Sequence, residues 1–343
     1  FFFKQKTAYE IRNCDWSSDV CSSDLVVDGL LRKALERASQ VSGGEIPSAY
    51  GPYAGPAADR ILGAQWLSQR LPGCDPQNLA ICSGVQGALM LFCLAVVGVG
   101  GKLITESKTY PGIKAVAAHL DIDLIGATTD EQGLIPDELE RACSEHGTRA
   151  VYCTPTLHNP TTATMSDERR EAIAHVVRRH ELTVLEDDVY GFLSPQSPPP
   201  LAARATDRVF YTTSYSKIIA PALRIGYLVA PTQNWYAQLE AALRAVVFSV
   251  SPYNLLVIRA MAQEGWLDNA IATIRAEARS RQEMATSILP ASLYRAHRDS
   301  HHGWLELPEG WAASTFISRL RNDDVVLVDH QAFSVGDSPP GPP

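Results

Sequence analysis

The sequence predicts an α/β fold in which helices cover both faces of a mostly parallel sheet, followed by a smaller α+β domain. Three observations support this prediction. Up to residue 230, short apolar runs alternate with helical patterns of about ten to fifteen residues. Polar residues directly follow several of those runs, at the positions where open parallel sheets bind ligands. Beyond residue 268, helical patterns are mixed with two further apolar runs.

Composition places the chain among ordinary globular proteins. Its 343 residues are 45% hydrophobic and 20% charged, with a formal net charge of −8. An acidic chain without a block of lysine and arginine is not expected to bind nucleic acid. No apolar run is long enough to span a bilayer, and the seven cysteines show neither CxxC pairs nor metal-ligand spacing. We therefore expect no membrane or metal partner and a reducing, cytoplasmic location.

The apolar patterns predict each element in turn. Strands are predicted at 79–82, 102–105, 122–126, 150–153, 182–185, 209–213 and 225–230. Helices are predicted at 26–39, 57–71, 88–97, 136–146, 167–180, 234–247, 253–264 and 268–289, with one more opened by Tyr110-Pro111-Gly112. A strand at 302–308, a helix at 310–321 and a strand at 325–328 complete the tail. We divide this pattern into a helix plus large domain, 26–267, and a small domain, 268–343.

The first 25 residues are treated separately from the fold. They show neither helical nor strand periodicity, and they lack the continuous apolar region of a signal peptide. The string closely resembles translated sequencing-adapter read-through. We exclude it from fold and function, and a disordered extension would lead to the same exclusion.

The segment 212–227 holds the most informative residues. Lys217 lies between two apolar strands, with Ser214 and Ser216 before it and Arg224 seven residues after it. A lysine in this position is by default a solvated loop residue. The specific alternative is an amine that forms a Schiff base with a carbonyl cofactor, with the hydroxyls and the arginine as phosphate ligands.

Three other polar residues fall just past predicted strands, namely Ser83, Asn159 and Asp187. After Ser83 a turn of small residues leads into a helix, the geometry in which backbone N–H groups hold a phosphate. Each signal is weak alone, because Asn159 precedes proline as a turn former and Asp187 could be an ordinary loop carboxylate. Since parallel strands end at the same edge of a sheet, we expect these residues and Lys217 to share one site.

Taken in order, these motifs resemble fold-type I pyridoxal-phosphate (PLP) enzymes of the class I/II aminotransferase family. The resemblance runs from about Val26 to the C-terminus and is most specific between Tyr50 and Gly226. It is closest to the kynurenine and α-aminoadipate aminotransferases and to the aminotransferase-like domains of MocR-type regulators. It implies a three-layer PLP-transferase large domain, a small C-terminal domain and pyridoxal 5′-phosphate as the cofactor.

The resemblance also implies roles for individual residues. Lys217 would form the Schiff base and move the proton at the substrate Cα, and Asp187 would pair with the ring nitrogen. Tyr190, which completes the family's Asp-x-x-Tyr, would join these two as the third catalytic residue. Tyr190 and Asn159 would hydrogen-bond the ring oxygen, and Tyr110 would stack on the ring.

The cofactor phosphate is assigned by the same resemblance to backbone N–H groups, two hydroxyls and a guanidinium, those of Val85, Gln86, Ser214, Ser216 and Arg224. Tyr50, in Tyr50-Gly51-Pro52-Tyr53, matches a tyrosine that reaches the phosphate of the neighbouring subunit. The resemblance therefore implies at least a homodimer.

Two departures from the family pattern stand out. The family's Asn-Pro-Thr-Gly is Asn159-Pro160-Thr161-Thr162 here, and the lost glycine is expected to alter that turn or the nearby substrate fit. The arginine that holds the substrate carboxylate normally follows shortly after the point at which this chain ends, and no residue can be given that role. The segment that closes over substrate is missing at the other end, so we expect a fragment with a truncated small domain.

Three functions fit this resemblance. The first is an aminotransferase of amino-acid metabolism, including biosynthetic processes, which moves an amino group between an amino acid and a 2-oxo acid by a ping-pong Schiff-base mechanism. The second is the PLP-binding effector domain of a MocR/GntR-type transcription regulator whose DNA-binding part preceded Val26; only in that case is nucleic acid a partner. The third is another PLP reaction at Cα or Cβ, such as that of a lyase.

Overall fold

The computed structural model describes residues 2–4, 25–41, 47–246, 249–308, 310–322 and 325–336. Its helices are α1 Leu25–Val41, α2 Ala57–Leu67, α3 Gly84–Phe92, α4 Pro111–His119, α5 Pro136–His146, α6 Asp167–Arg179, α7 Gln233–Val246, α8 Pro252–Gln263, α9 Trp266–Ile288 and α10 Ala313–Arg321. Its strands are β1 Phe2–Lys4, β2 Leu79–Cys82, β3 Lys102–Glu106, β4 Asp123–Ala127, β5 Thr129–Asp130, β6 Gly133–Leu134, β7 Ala150–Cys153, β8 Thr183–Asp187, β9 Val209–Ser214, β10 Gly226–Val229, β11 Tyr294–Arg295, β12 Trp304–Leu305 and β13 Val326–Val328.

Seven of these strands form the central sheet, in the order β2-β10-β9-β8-β7-β3-β4. The pairs β3·β4, β3·β7, β7·β8 and β8·β9 are parallel, whereas β10 runs antiparallel to both of its neighbours. The register places Gly226 opposite both Cys82 and Ser214. The start of β10 and the ends of β2 and β9 therefore meet at one edge, which confirms the predicted mostly parallel sheet.

A hydrophobic core lies on each face of this sheet. Along β2, for example, Leu79 and Ile81 belong to one core and Ala80 and Cys82 to the other, as the two-residue period of a strand requires. Helices α1, α2, α5, α6, α8 and α9 contribute to the first core, and α3, α4 and α7 to the second. Such two-sided burial explains why the strands read as continuous apolar runs rather than alternating ones.

Three strands of the C-terminal part and the N-terminal strand β1 form a second, four-stranded sheet in the order β11-β12-β1-β13. Helix α9 is shared between the two units, because its first half packs in the core that contains Leu267 and Ile271, while Ala285 packs against the small core of the second unit. The strand Phe2–Lys4 was not predicted; it pairs with β12 and β13, and helix α1 begins at Leu25. The rest of the excluded segment 1–25, like residues 337–343, lies outside the described residues.

Most element bounds agree with the sequence pattern to within two residues. Helix α2 is shorter than predicted and ends at Leu67, and the strand predicted at 302–308 is reduced to Trp304–Leu305. The helix after Ser83 continues from α3 into a π-helical turn at Cys93–Val97. In the part of the chain that the structure describes, none of the helices is both long and apolar enough to cross a bilayer.

Candidate active site

A cavity of about 440 Å³ lies where the strand ends of the central sheet meet. Its lining includes Lys217, in the 3₁₀ turn after β9, and Asp187, the last residue of β8. The two side chains that the sequence predicted to face each other across a ligand therefore share one pocket. This position, outside the carboxyl ends of parallel strands, is the one expected for open α/β sheets.

The cavity also contains the other site residues predicted from the sequence, with one exception. They are Val85, Gln86, Tyr110, Asn159, Tyr190, Ser214, Ser216 and Arg224. The exception is Tyr50, which is 82% exposed and does not line this cavity. Four further lining residues that the sequence did not predict are Thr154, Val189, Pro221 and Ala222.

Arg224 is placed at one end of the cavity by a close approach of two backbones. A Cβ atom on Gly226 would lie 2.8 Å from the backbone of Gly84, so only glycine lets β10 pack against the start of α3 here. Arg224, with a left-handed φ of 47°, then donates from Nη2 to the carbonyl oxygen of Ser83 at 2.9 Å. Its permanent positive charge thus stands beside the first turn of α3.

The first turn of α3 adds backbone donors to that charge. Its N-cap residue, Ser83, makes no side-chain capping hydrogen bond, and the initial N–H groups of a helix have no partner within the helix. Val85 and Gln86, both in this turn, line the cavity, and the Ser214 hydroxyl accepts a bond from the Ser216 N–H at 3.4 Å. This end of the cavity is therefore suited to an anion such as a phosphate.

Asp187 is 3% exposed and lines the same cavity. Its Oδ2 accepts a hydrogen bond from the Tyr152 hydroxyl at 2.9 Å, and its Oδ1 accepts one from the Val189 N–H at 3.3 Å. Burial raises the pKa of Asp187 to about 7, and the hydrogen bond from Tyr152 opposes that shift. Burial makes the ionised form of this carboxyl costly, and a cationic partner in the cavity would offset that cost.

The ring of Tyr110 reaches the cavity from the start of α4. A Cβ atom on Gly112 would lie 2.1 Å from Tyr110 Cε1 and 2.4 Å from Gln86 Oε1, so a glycine here gives the ring its room. The Gln86 side chain in turn donates to the carbonyl oxygen of Gly112 at 3.1 Å. These contacts hold a rigid aromatic face at the cavity wall, a surface suited to stacking on a planar ligand.

Asn159 offers an unsatisfied polar group to the cavity. Its side chain is 6% exposed, and its buried Oδ1 has no hydrogen-bond partner among the described residues. An orphaned buried amide is costly unless a ligand or water completes it. The turn that follows keeps a left-handed residue despite the lost glycine, since Thr162 has a φ of 63° and donates its N–H to the His158 carbonyl at 2.7 Å.

Two histidines of the second unit contact the same site from outside. His301 Nε2 lies 2.8 Å from the carbonyl oxygen of Lys217, and His302 Nε2 lies 3.1 Å from the carbonyl oxygen of His158. The His302 ring also packs against that of Tyr190, with centroids 5.2 Å apart. Burial lowers the pKa of His302 to about 4 and that of His301 to about 3, so both rings are neutral near pH 7.

Among the residues missed from the sequence, Tyr152 had a usable signal. It pairs with Leu185 on the neighbouring parallel strand, and Asp187, two residues further along, points to the same face. His301 and His302 had none, because their contacts join segments more than eighty residues apart. The residues that line the cavity can hold an anion beside Arg224, a planar ring beside Tyr110 and a cationic ring atom beside Asp187. The primary amine of Lys217 lies in the same pocket.

Comparison with known proteins identifies the family. The model of the family described as aminotransferase class I and II matches residues 18–341. The chain belongs to the class I and II aminotransferase family. The match begins within the segment 1–25 that the sequence pattern had excluded.

Relatives of this aminotransferase-family chain include both enzymes and regulators. It is 27% identical over 263 residues to the uncharacterized HTH-type transcriptional regulator YdeF of Bacillus subtilis, which covers 77% of this chain and 57% of the regulator. It is 25% identical over 299 residues to aromatic-amino-acid aminotransferase 1 of Thermococcus litoralis, covering 83% and 71% of the two chains. The chain thus spans little more than half the length of the first of these relatives.

The fold is that of aminotransferases of known structure. The α-aminoadipate aminotransferase LysN of Thermus thermophilus, solved with N-(5′-phosphopyridoxyl)-L-leucine, superposes with a TM-score of 0.78 at 24% identity. The superposition covers 90% of this chain and 80% of LysN. This agreement confirms the predicted α/β fold of the PLP-transferase type.

Proposed function

We propose that this chain binds pyridoxal 5′-phosphate and transfers an amino group between an amino acid and a 2-oxo acid. The observation that carries the proposal is the placement of Lys217 and Asp187 in one cavity, together with an anion cradle at Arg224. An amine, a buried carboxylate and a phosphate site are the three features that a phosphorylated pyridine aldehyde requires.

The residues present fit this cofactor. Its phosphate suits the guanidinium of Arg224 and the first-turn N–H groups of α3, which have no capping partner. Its ring oxygen suits the orphaned amide of Asn159 and the hydroxyl of Tyr190, and its ring face suits Tyr110. When bound, the cofactor supplies a carbonyl carbon that condenses with amines and a ring that accepts electrons from the substrate Cα.

The residues of the chain provide binding, orientation and proton transfer. Lys217 Nζ would hold the cofactor covalently and, once the substrate amine displaces it, would move a proton to and from the substrate Cα. Asp187 would keep a proton on the ring nitrogen, and its hydrogen bond from Tyr152 at 2.9 Å orients it for this. The cationic lining side chains in the described part of the chain are Lys217 and Arg224, so the group that binds the substrate carboxylate is not assigned.

Absorbance spectroscopy tests the proposal directly. We expect the purified chain mixed with pyridoxal phosphate to show a visible band that sodium borohydride fixes covalently at Lys217. The band should shift on addition of particular amino acids, with release of the matching 2-oxo acids. Lys217→Ala should abolish the band, whereas Lys102→Ala, which removes an exposed lysine at the start of β3, should keep it. A wild-type chain without a Lys217-dependent band would refute the proposal.

A second candidate function is the effector domain of a transcription regulator. It is favoured by the similarity to an HTH-type regulator of which this chain covers only 57%. Both functions share the cofactor site, so the discriminating measurement is turnover. An aminotransferase converts an amino acid and a 2-oxo acid repeatedly, whereas an effector domain gives the spectral shift without product. A basic helix-turn-helix encoded upstream of Val26 would support the regulator.

The proposed assembly is a homodimer in the cytoplasm. Tyr50 is 82% exposed in the single chain, which suits a residue that reaches the phosphate of a second subunit. All five cysteines in the described part of the chain are free thiols, which suits a reducing compartment. Light scattering tests the dimer, and Tyr50→Ala should weaken cofactor binding if the second copy supplies this ligand. A monomer that binds the cofactor with full affinity would contradict it.

A further inference from the structure

Glu106, the last residue of β3, has a buried carboxyl that the proposed mechanism does not use. It is fully buried, and its Oε1 accepts a hydrogen bond from the Thr154 N–H at 2.9 Å. Its Oε2 has no hydrogen-bond partner among the described residues, and neither does Nε2 of His158, which is 1% exposed. These two orphaned atoms lie 3.9 Å apart. The other ring nitrogen of His158 is 2.8 Å from Thr161 Oγ1.

The surroundings of this pair favour neutral forms. Burial raises the pKa of Glu106 to about 8, and the negative charge of Asp187 adds to that shift. Burial likewise lowers the pKa of His158 to about 3, helped by His302 and opposed by a hydrogen bond with the Lys108 backbone. A protonated carboxyl beside an unprotonated imidazole nitrogen places a donor next to an acceptor without any buried charge, in van der Waals contact at 3.9 Å rather than in a hydrogen bond. An ion pair at 3.9 Å would require both groups to be desolvated while charged.

Glu186 is a second buried glutamate, and its partner differs from that of Glu106. It is also fully buried, but it lies 3.5 Å from the guanidinium of Arg170 and accepts the Ala202 N–H at 2.9 Å. Burial also raises the pKa of Glu186, but the permanent charge of Arg170 opposes that shift and holds the value at about 7, below that of Glu106. Two glutamates of equal burial therefore face opposite environments, one cationic and one neutral.

We propose that Glu106 is a positioning residue that stays protonated beside the neutral imidazole of His158, so that Asp187 is the carboxyl group left to ionise when a cationic ring atom of the cofactor binds. Glu106 acts through the segment that it anchors. Thr154 Oγ1 lies 3.5 Å from the Tyr152 hydroxyl, and that hydroxyl donates to Asp187. The link to the cofactor rests on the proposed function, whereas the protonation state of Glu106 does not.

Two measurements on the full chain without cofactor test the proposal. Difference infrared spectroscopy at pH 6.5 should show a protonated-carboxyl C=O band in the wild type that is lost in Glu106→Gln. The same variant keeps a neutral side chain with N–H donors, so its Tm should fall by about 2 °C or less. The matched control, Glu186→Gln, leaves the buried guanidinium of Arg170 without its ion-pair partner and should lower Tm by about 5 °C or more. The proposal would be overturned if Glu106→Gln kept the protonated-carboxyl band, or if its Tm fell as far as that of Glu186→Gln.

A third measurement addresses the link to Asp187. In the wild type with cofactor bound, the visible band should show a pH-dependent change near pH 8, where Glu106 ionises, and Glu106→Gln should lack it. Identical titrations of both proteins up to pH 9 would refute the link. A chain that binds no cofactor would refute the proposed function alone, because the infrared result still decides the protonation state of Glu106.

Discussion

Replacement of His302 by glutamine is expected to change how stability depends on pH. The His302 side chain is 1% exposed, and its pKa is lowered from 6.5 to about 4 in the folded protein. Between these values the unfolded state binds more protons, so the free energy of unfolding falls as the pH falls. At 1.36 kcal/mol per pKa unit, the imidazole destabilises the wild type by about 3 kcal/mol between pH 7.5 and pH 4. His302→Gln removes this penalty.

Urea denaturation at half-unit steps from pH 7.5 to pH 4 measures the effect. At pH 7.5 the variant should be less stable, because it loses packing against Tyr190. The stability difference should then narrow or reverse as the pH falls through 6.5, while His146→Gln, which removes an exposed histidine, serves as the control. Wild type and variant keep the same carboxyl groups, so the effect of carboxyl titration on stability cancels when one free energy of unfolding is subtracted from the other. Parallel curves for wild type and His302→Gln would refute a buried neutral histidine.

Three further substitutions test the site and the core. Arg224→Ala removes the charge-assisted hydrogen bonds proposed for the phosphate and should weaken cofactor binding by about 10- to 100-fold in a fluorescence titration, corresponding to about 1.5–3 kcal/mol. Trp66→Ala empties a buried site where the indole stacks at 4.0 Å on another aromatic ring, and should lower the free energy of unfolding in urea by about 3–5 kcal/mol. Arg70→Leu leaves Asp188 buried without its ion-pair partner at 3.0 Å and should cost about 3–5 kcal/mol in the same assay. Arg141→Leu, which breaks an exposed pair, should cost less than about 1 kcal/mol, and equal losses for the two arginines would contradict the burial argument.

The central sheet was predictable because its strands are buried on both faces. Strands β2 and β7 have the bounds that their apolar runs predicted, and the polar residue after each marks the ligand edge. The C-terminal unit was harder to predict, because β11 is only two residues long and β12 is reduced to two residues of the strand predicted at 302–308. The pairing of β12 with β1 joins residues about 300 apart in sequence, which local periodicity does not report.

The candidate site was predictable to the extent that each residue follows a strand. Lys217, Asp187 and Asn159 were found in this way, and the structure brings them to one cavity. The lost glycine was predicted to alter this turn or the nearby substrate fit; Thr162 adopts a left-handed φ of 63°, and the effect on substrate fit stays a prediction. A β-branched residue there is strained by about 1–3 kcal/mol, and the surrounding contacts must offset it. The pair of Glu106 and His158 was invisible in sequence, because it depends on the depth of burial.

The antiparallel insertion of β10 makes the connection at residues 215–225 a segment of fixed length. Gly226 is held in register with Cys82 on one side and Ser214 on the other. A one-residue slip of β10 against these partners would turn every β10 side chain to the opposite face and carry Arg224 away from the cavity. Libraries that vary loop length should therefore spare this connection.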